Sequence, residues 1–482
     1  MKKEDLFEAL TDIDETSVKN ARNYSAGKKH IWAKWGSLVA CAAVLFVVVV
    51  GVPLVKDRNQ QAGNNSYPVG VMKVMAAYPE PVAAEMSSQE FVEDDAHWNW
   101  WDEYREKLSE TEALNIPITK YYASLIEKLL VSKDDNTVCS PLNTYIAFSM
   151  LAEVSDGNTR QQILDMLGTS DIETLRKNVS KLWEINYVDT PVLKSLLANS
   201  LWLDNSVKYN NETLNRLAEQ YYASSFSGVP GSAEMNEALR TWTDSNTGGL
   251  LSDYTKDMSI SPDTVLEILS TIYYKAMWRE EFRTNNTTQE TFHGTKGDTT
   301  VDMMHKTDMM GVYRTSTFTA LGLGLNDSGS MYFYLPNDGV DVNSLASDPD
   351  ILKTIQYNGE DENWLSPEVN LSVPKFKVSS KTDLLEIIRE LGVTDALDNT
   401  LADFTPLTED RDDLYLSKAE HAAMIEIDEH GVTGAAYTEL ALADGAAQPD
   451  ETIDFVVDRP FMFIVTGGDG SILFAGIVKN ID

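Results

Sequence analysis

The chain from about Leu108 to its end predicts an α+β domain. Three observations carry that prediction. Segments of helical period crowd the first part of this stretch, segments of strand period crowd the last part, and no internal repeat relates them. Hydrophobic residues make up 43% of the 482, enough for a sizeable core. Glycine and proline together are too few for a collagen-like or wholly disordered chain.

The elements follow in chain order. Residues 1–34 read as a short cytoplasmic segment, and nothing in them identifies a partner. Residues 35–55 are 21 positions without a charge. As a helix they reach ~31 Å, about the thickness of the bilayer hydrocarbon. A cleaved signal peptide is the alternative, disfavoured because 34 residues precede the run. Leu38-Val39-Ala40-Cys41 resembles a lipoprotein cleavage box, but the strongest apolar stretch lies after the cysteine. Lys19, Arg22, Lys28, Lys29 and Lys34 precede the run, and only Lys56 and Arg58 closely follow it. That asymmetry predicts a single-pass transmembrane helix in the cell membrane, with the carboxyl-terminal domain extracellular. Residues 56–104 read as a flexible tether, rich in Asn, Gln, Ala, Pro and Ser. Trp98, Trp100 and Trp101 are expected to pack on the domain spanning 105–482.

Within that domain Ser140 can cap a helix whose first turn suits Pro141. Leu142, Ile146, Ser149 and Met150 then share a face. Thr159-Arg160-Gln161-Gln162 reads as a capping box, and Gly168 as the end of its helix. Residues 370–378, 422–428, 461–466 and 472–478 read as strands.

Charge and motifs exclude several functions. With 39 basic and 75 acidic residues the net charge is −36, which disfavours nucleic acid, heparin-type polyanions and anionic lipid as partners. Two cysteines, Cys41 and Cys139, cannot build a disulfide framework. No HExxH, CxxC, P-loop or GxSxG pattern occurs, so neither a metal nor a cofactor is expected. A hydrolase built on Ser140 and His421 has no more support from spacing than any other Ser/His pair.

Val138-Cys139-Ser140-Pro141 and Gly157-Asn158-Thr159-Arg160-Gln161-Gln162-Ile163-Leu164 resemble the early helices of the serpins, a family of serine protease inhibitors. Ala198-Asn199-Ser200-Leu201-Trp202, Ile272-Tyr273-Tyr274-Lys275-Ala276-Met277-Trp278 and Val301-Asp302-Met303-Met304 are similar to interior strands. Leu416-Ser417-Lys418-Ala419-Glu420-His421, Glu429-His430-Gly431, Arg459-Pro460-Phe461-Met462-Phe463 and Phe474-Ala475-Gly476 complete the series. The resemblance covers roughly residues 110–482, in order, and suggests a membrane-anchored, prokaryotic-type member. It implies a serpin fold: a large central β-sheet, surrounding helices and an exposed reactive-centre loop. It also implies that Ser140, Asn143, Ser270 and His421 form the shutter, a buried cluster under the sheet, with Ser270 standing where the family usually has Asn. Trp278 falls on the breach, where the loop begins to insert.

The loop can also be read from its residues. Taken as a strand, residues 431–443 put Val432, Gly434, Ala436, Thr438, Leu440 and Leu442 on one uncharged face. The other face holds Tyr437 and Glu439. An ordinary edge strand fits that alternation equally well. The resemblance assigns Glu429, Gly431, Val432, Gly434, Ala435 and Ala436 to the hinge of an inserting loop. The family's usual count forward from Glu429 implies a reactive bond at Gly445–Ala446, within a window that includes Leu442, Ala443, Asp444 and Ala447. Counting back from Pro460 lands a few residues later.

The implied activity is suicide inhibition, not catalysis. A serine protease attacks the loop and forms a covalent acyl-enzyme, and the cut loop inserts into the sheet before deacylation. No Lys or Arg lies between Glu429 and Asp458. The small residues suit elastase-like or subtilisin-like pockets. A non-inhibitory surface or binding protein on the same fold is the competing expectation. The inhibitor is expected to act as a monomer.

Overall fold

Nine strands form the sheet that organises the structure, a computed structural model describing residues 42–51, 71–111, 115–132, 134–355, 361–432 and 451–481. They are β1 (Ala42–Gly51), β2 (Val71–Val74), β3 (Val188–Asp189), β4 (Leu193–Asp204), β5 (Ala223–Gly228), β6 (Thr264–Met277), β7 (Phe376–Asp383), β8 (Tyr415–Ile427) and β9 (Gly431–Val432). The spatial order is β7-β8-β1-β6-β4-β5-β2, with β9 paired to β6 and β3 to β4. A seven-stranded sheet contains Phe461–Thr466 and Ile472–Val478, and a four-stranded one contains Glu368–Pro374.

The central sheet is covered on both faces, so its inner strands need no alternation. Twelve of the fourteen residues of β6 are buried. One face meets the main core, including helix Pro141–Glu153, every residue of which is buried. The other face packs against helix Ala233–Asn246 through Met235 and Leu239.

The apolar run expected to cross a membrane is corrected by β1. Residues Ala42–Gly51 are a strand, antiparallel to β6 on one side and to β8 on the other. No helix among the described residues is long and apolar enough to cross a membrane, so the helix over 35–55 and the cell-membrane placement built on it are withdrawn. The physical reason lies in Val47, Val48, Val49 and Val50. Their branched Cβ atoms favour the pleated backbone, and flanking strands satisfy the main chain as a helix would. All four are buried. The first 34 residues lie outside the described residues.

The expected flexible tether is also different in its second half. β2 pairs with β5, and helices α1 (Ser88–Glu93) and α2 (Asp95–Thr111) follow. Ser87 caps α1 in a reciprocal box with Glu90. The Val82 amide donates to the Asp189 carbonyl at 2.8 Å, and Tyr78 stacks on Tyr187. Trp100 stacks on Tyr104 with ring centroids 5.0 Å apart, and both Trp100 and Trp101 pack against the core. Trp98 remains 59% exposed.

Elsewhere the local signals behave as their chemistry dictates. Residues 461–466 and 472–478 are strands with those limits. The stretch 370–378 is two strands broken at Lys375, whose amide turns to the Asp302 carbonyl. The proposed box at Thr159 is not a cap. Helix Gly157–Leu167 starts after Asp156, and the buried Thr159 hydroxyl accepts from the Asp403 amide. Gly168 does close that helix, at φ 74°.

Candidate functional site

The site is built around the gap between β6 and β8. Ser140 precedes helix Pro141–Glu153 in extended conformation, and its Oγ accepts from the Asn143 amide at 3.3 Å. Its own amide donates to His421 Nε2 at 2.9 Å. Asn143 Nδ2 donates to Ser270 Oγ at 2.8 Å. The four residues expected to form the shutter therefore form one buried hydrogen-bonded cluster, tying β6 and β8 to the same helix start.

His421 is engaged by a main-chain N–H, not by the Ser140 hydroxyl, so the pair has no nucleophile–base geometry. Burial drives its pKa down to about 3, and the ring stays neutral. Asn143 Oδ1 has no hydrogen-bond partner among the described residues. Asn199, opposite Ser270 in the β4–β6 register, was not singled out from the sequence. It is buried and donates to the Tyr221 carbonyl at 2.6 Å. A buried polar side chain inside the apolar strand segment 198–202 was the available signal.

At the top of the gap stands Trp278, 1% exposed. Its Nε1 donates to the Asp428 carbonyl at 2.9 Å, and its amide donates to the His430 carbonyl at 3.0 Å. Both contacts hold the turn that leaves β8. Glu429 in that turn meets Lys375 Nζ at 2.9 Å and accepts from Thr287 Oγ1 at 2.8 Å. Burial pushes its pKa up, but those two partners outweigh it and keep the carboxyl below its ordinary value. Gly431 takes φ 150°, and a Cβ there would stand 2.3 Å from the Ala276 carbonyl oxygen. Only glycine fits this crossing. Val432 follows, fully buried and paired with Ala276. Gly434, Ala435, Ala436 and the whole window Leu442, Ala443, Asp444, Gly445, Ala446 and Ala447 lie outside the described residues.

Glu267 on β6 was also missed. It is buried opposite Val49 of β1 and Trp202 of β4. Burial raises its pKa to about 8, Lys418 pulling it down and Glu420 up. The folded pKa lies above the ordinary 4.5, so the protonated acid is the stable form. Its contribution is complete below pH 4.5 and is lost as pH rises toward 8. Glu267→Gln is expected to remove about 4–5 kcal/mol of that alkaline loss, at about 1.4 kcal/mol per pKa unit. Urea melts of both forms from pH 5 to 9 measure it, and parallel profiles would refute it. Cys139 is buried too, and burial pushes its thiol up, away from reactivity.

A family model described as "Serpin (serine protease inhibitor)" matches residues 118–481. The chain is 28% identical over 393 residues to the plasma serine protease inhibitor of Mus musculus, covering 78% of this chain and 92% of the relative. It is 27% identical over 395 residues to Serpin-ZX of Arabidopsis thaliana, covering 78% and 98%. Among solved structures, an Arabidopsis serpin in a native stressed conformation superposes with a TM-score of 0.64 at 26% identity, covering 78% and 98%. The thermophilic serpin tengpin in its native state gives 0.66 at 22%, covering 76% and 93%, a likeness of fold. None of these supports the membrane-anchored, prokaryotic-type qualifier. Because the matching family model spans residues 118–481, most of the chain, the chain belongs to the serpin family, whose members are generally protease inhibitors rather than catalysts.

Proposed function

We propose that this serpin is a suicide-substrate inhibitor of serine proteases with small, apolar specificity pockets, elastase-like or subtilisin-like, cut at Gly445–Ala446. The observation that carries the reading is β9. Gly431 and Val432, which we read as the start of the hinge, pair with β6 just beyond the end of β1, and the Val432 side chain is uncharged and buried. The segment behind it offers small residues on the same face and no Lys or Arg before Arg459. A trypsin-like pocket would leave its carboxylate unpaired against such a loop. The residues of the shutter act by holding or releasing the strands on either side of the gap, not by bond chemistry.

Mixing the full chain with an elastase, and separately with trypsin, tests this. The expected result is an elastase complex that survives denaturing electrophoresis, with a released carboxyl-terminal peptide beginning at Ala446. Cleavage outside 442–447, or trapping of trypsin and not elastase, would refute the target assignment.

A second reading has one specific observation behind it: β1 already fills the body of the gap. A permanently filled sheet would make the chain a non-inhibitory binding protein. Thyroxine-binding globulin, solved with bound hormone, shares this fold at a TM-score of 0.66 and 23% identity, covering 78% of this chain and 99% of that one. Cleavage of the loop with no complex for any of the proteases would favour this second reading.

A further inference from the structure

We propose that β1 is an autoinhibitory strand: this chain's own residues Ala42–Gly51 hold the position in the central sheet that the cut loop must take, so trapping a protease requires β1 to leave.

The register makes the competition specific. β9 runs antiparallel to β6, with Gly431 opposite Met277 and Val432 opposite Ala276. β1 runs the same way, with Ala42 opposite Tyr274 and Val50 opposite Leu266. A strand continued from Val432 would put Gly434 opposite Tyr274 and Leu442 opposite Leu266. The two segments thus claim the same places, in the same direction, with the same faces inward. Val48 and Val50 lie in the main core with Val432. Leu440 and Leu442 would take their sites.

The position is fully taken. β1 pairs along β8 from Ala43–Met424 to Gly51–Tyr415, with one irregularity between Val49 and Val50. Its backbone at Phe46 lies opposite both Ser270 and His421, between the two halves of the shutter cluster. A loop strand cannot be added beside β1 without unpairing one neighbour.

The resting preference follows from the opposite face. Leu45, Val47 and Val49 are buried there with Leu239 and Leu269. The continued loop would bring Glu439 to the place of Val47, which is paired with Glu420 of β8. A carboxylate would then be buried beside the Leu239–Leu269 cluster and would have to compete with Glu420 for Lys381 and Lys418, the two lysines that already hold it. β1 carries no charge and meets neither cost. The intact chain therefore rests with β1 in the sheet.

The consequence for trapping rests on the loop-insertion reading; the occupancy of the gap does not. Hydrogen exchange of the full chain, followed by mass spectrometry, tests occupancy first. Amides of 42–51 are expected to exchange as slowly as those of β6, and exchange within seconds would overturn the proposal. Val48→Asp tests the consequence, because a buried carboxylate should expel β1 while the rest of the sheet keeps its helix cover. The number of inhibitor molecules consumed per elastase trapped is expected to fall roughly tenfold relative to the unaltered chain. Equal numbers for both forms, with 42–51 protected in the unaltered chain, would overturn the autoinhibition. Protected 42–51 with no complex from either form would refute the inhibitor reading and the regulatory role together, and would uphold the occupancy alone.

Discussion

Val432→Arg is expected to abolish protease trapping and to cost several kcal/mol of stability, about 3 or more. Val432 is fully buried, and its backbone is paired with Ala276 at the entry to the gap. The preceding Gly431 is paired with Met277, and the Trp278 amide donates to the His430 carbonyl, so swinging the segment out to spare a guanidinium its burial would break both. The variant should still present an intact scissile bond, so elastase would cut it and turn over. Stoichiometry of trapping, together with urea melts, measures both effects. Full retention of the denaturation-resistant complex would show that Val432 does not lead the inserting strand. Val432→Ile, which keeps the apolar face, serves as the control and should trap as the parent does.

Acid is expected to unlock the shutter. Burial depresses the His421 pKa to about 3 against an ordinary 6.5. The sign follows from linkage: below pH 6.5 the unfolded chain takes up a proton that the folded chain refuses. The contribution of His421 is complete above 6.5 and is lost as pH falls toward 3. The full excursion is about 4–5 kcal/mol at about 1.4 kcal/mol per unit. Charging the ring would also remove the lone pair that accepts from the Ser140 amide. His421→Gln should be less stable at neutral pH but lose much less between pH 7 and 4. Melts of the two proteins across that range decide it, and identical slopes would exclude His421 as the acid-sensitive group.

Those residues were legible in the sequence because their chemistry is local or their segments are distinctive. Ser140-Pro141 announces a helix start, Gly168 a helix end, and Phe461–Thr466 an apolar strand, and each is where its residue types put it. The run around Val47–Val50 misled for a stated reason. Apolar residues with no polar alternation suit a membrane helix and a doubly covered strand alike, and only the partner distinguishes them. That partner is β6 and β8, more than two hundred residues away in sequence. Asn199 and Glu267 were hidden similarly. A polar residue in an apolar strand reads as exposed until the layers packed on the sheet's faces are known to cover it. The reading of 56–104 as a tether fails from residue 71 onward because it rested on composition, which cannot register a short strand docking on a distant edge.

That short strand carries a consequence for how these molecules meet one another. β2 closes one side of the great sheet with only four residues, Lys73 among them. The opposite side is β7, whose exposed Lys377 and Lys381 are tied back to Glu426 and Glu420. Lysine-bearing rims, one of them only four residues long, are poor templates for an incoming chain. Among the described residues, neither border of this nine-stranded sheet invites another sheet to join. Within this sheet, the middle position that a foreign strand could take is already held by β1.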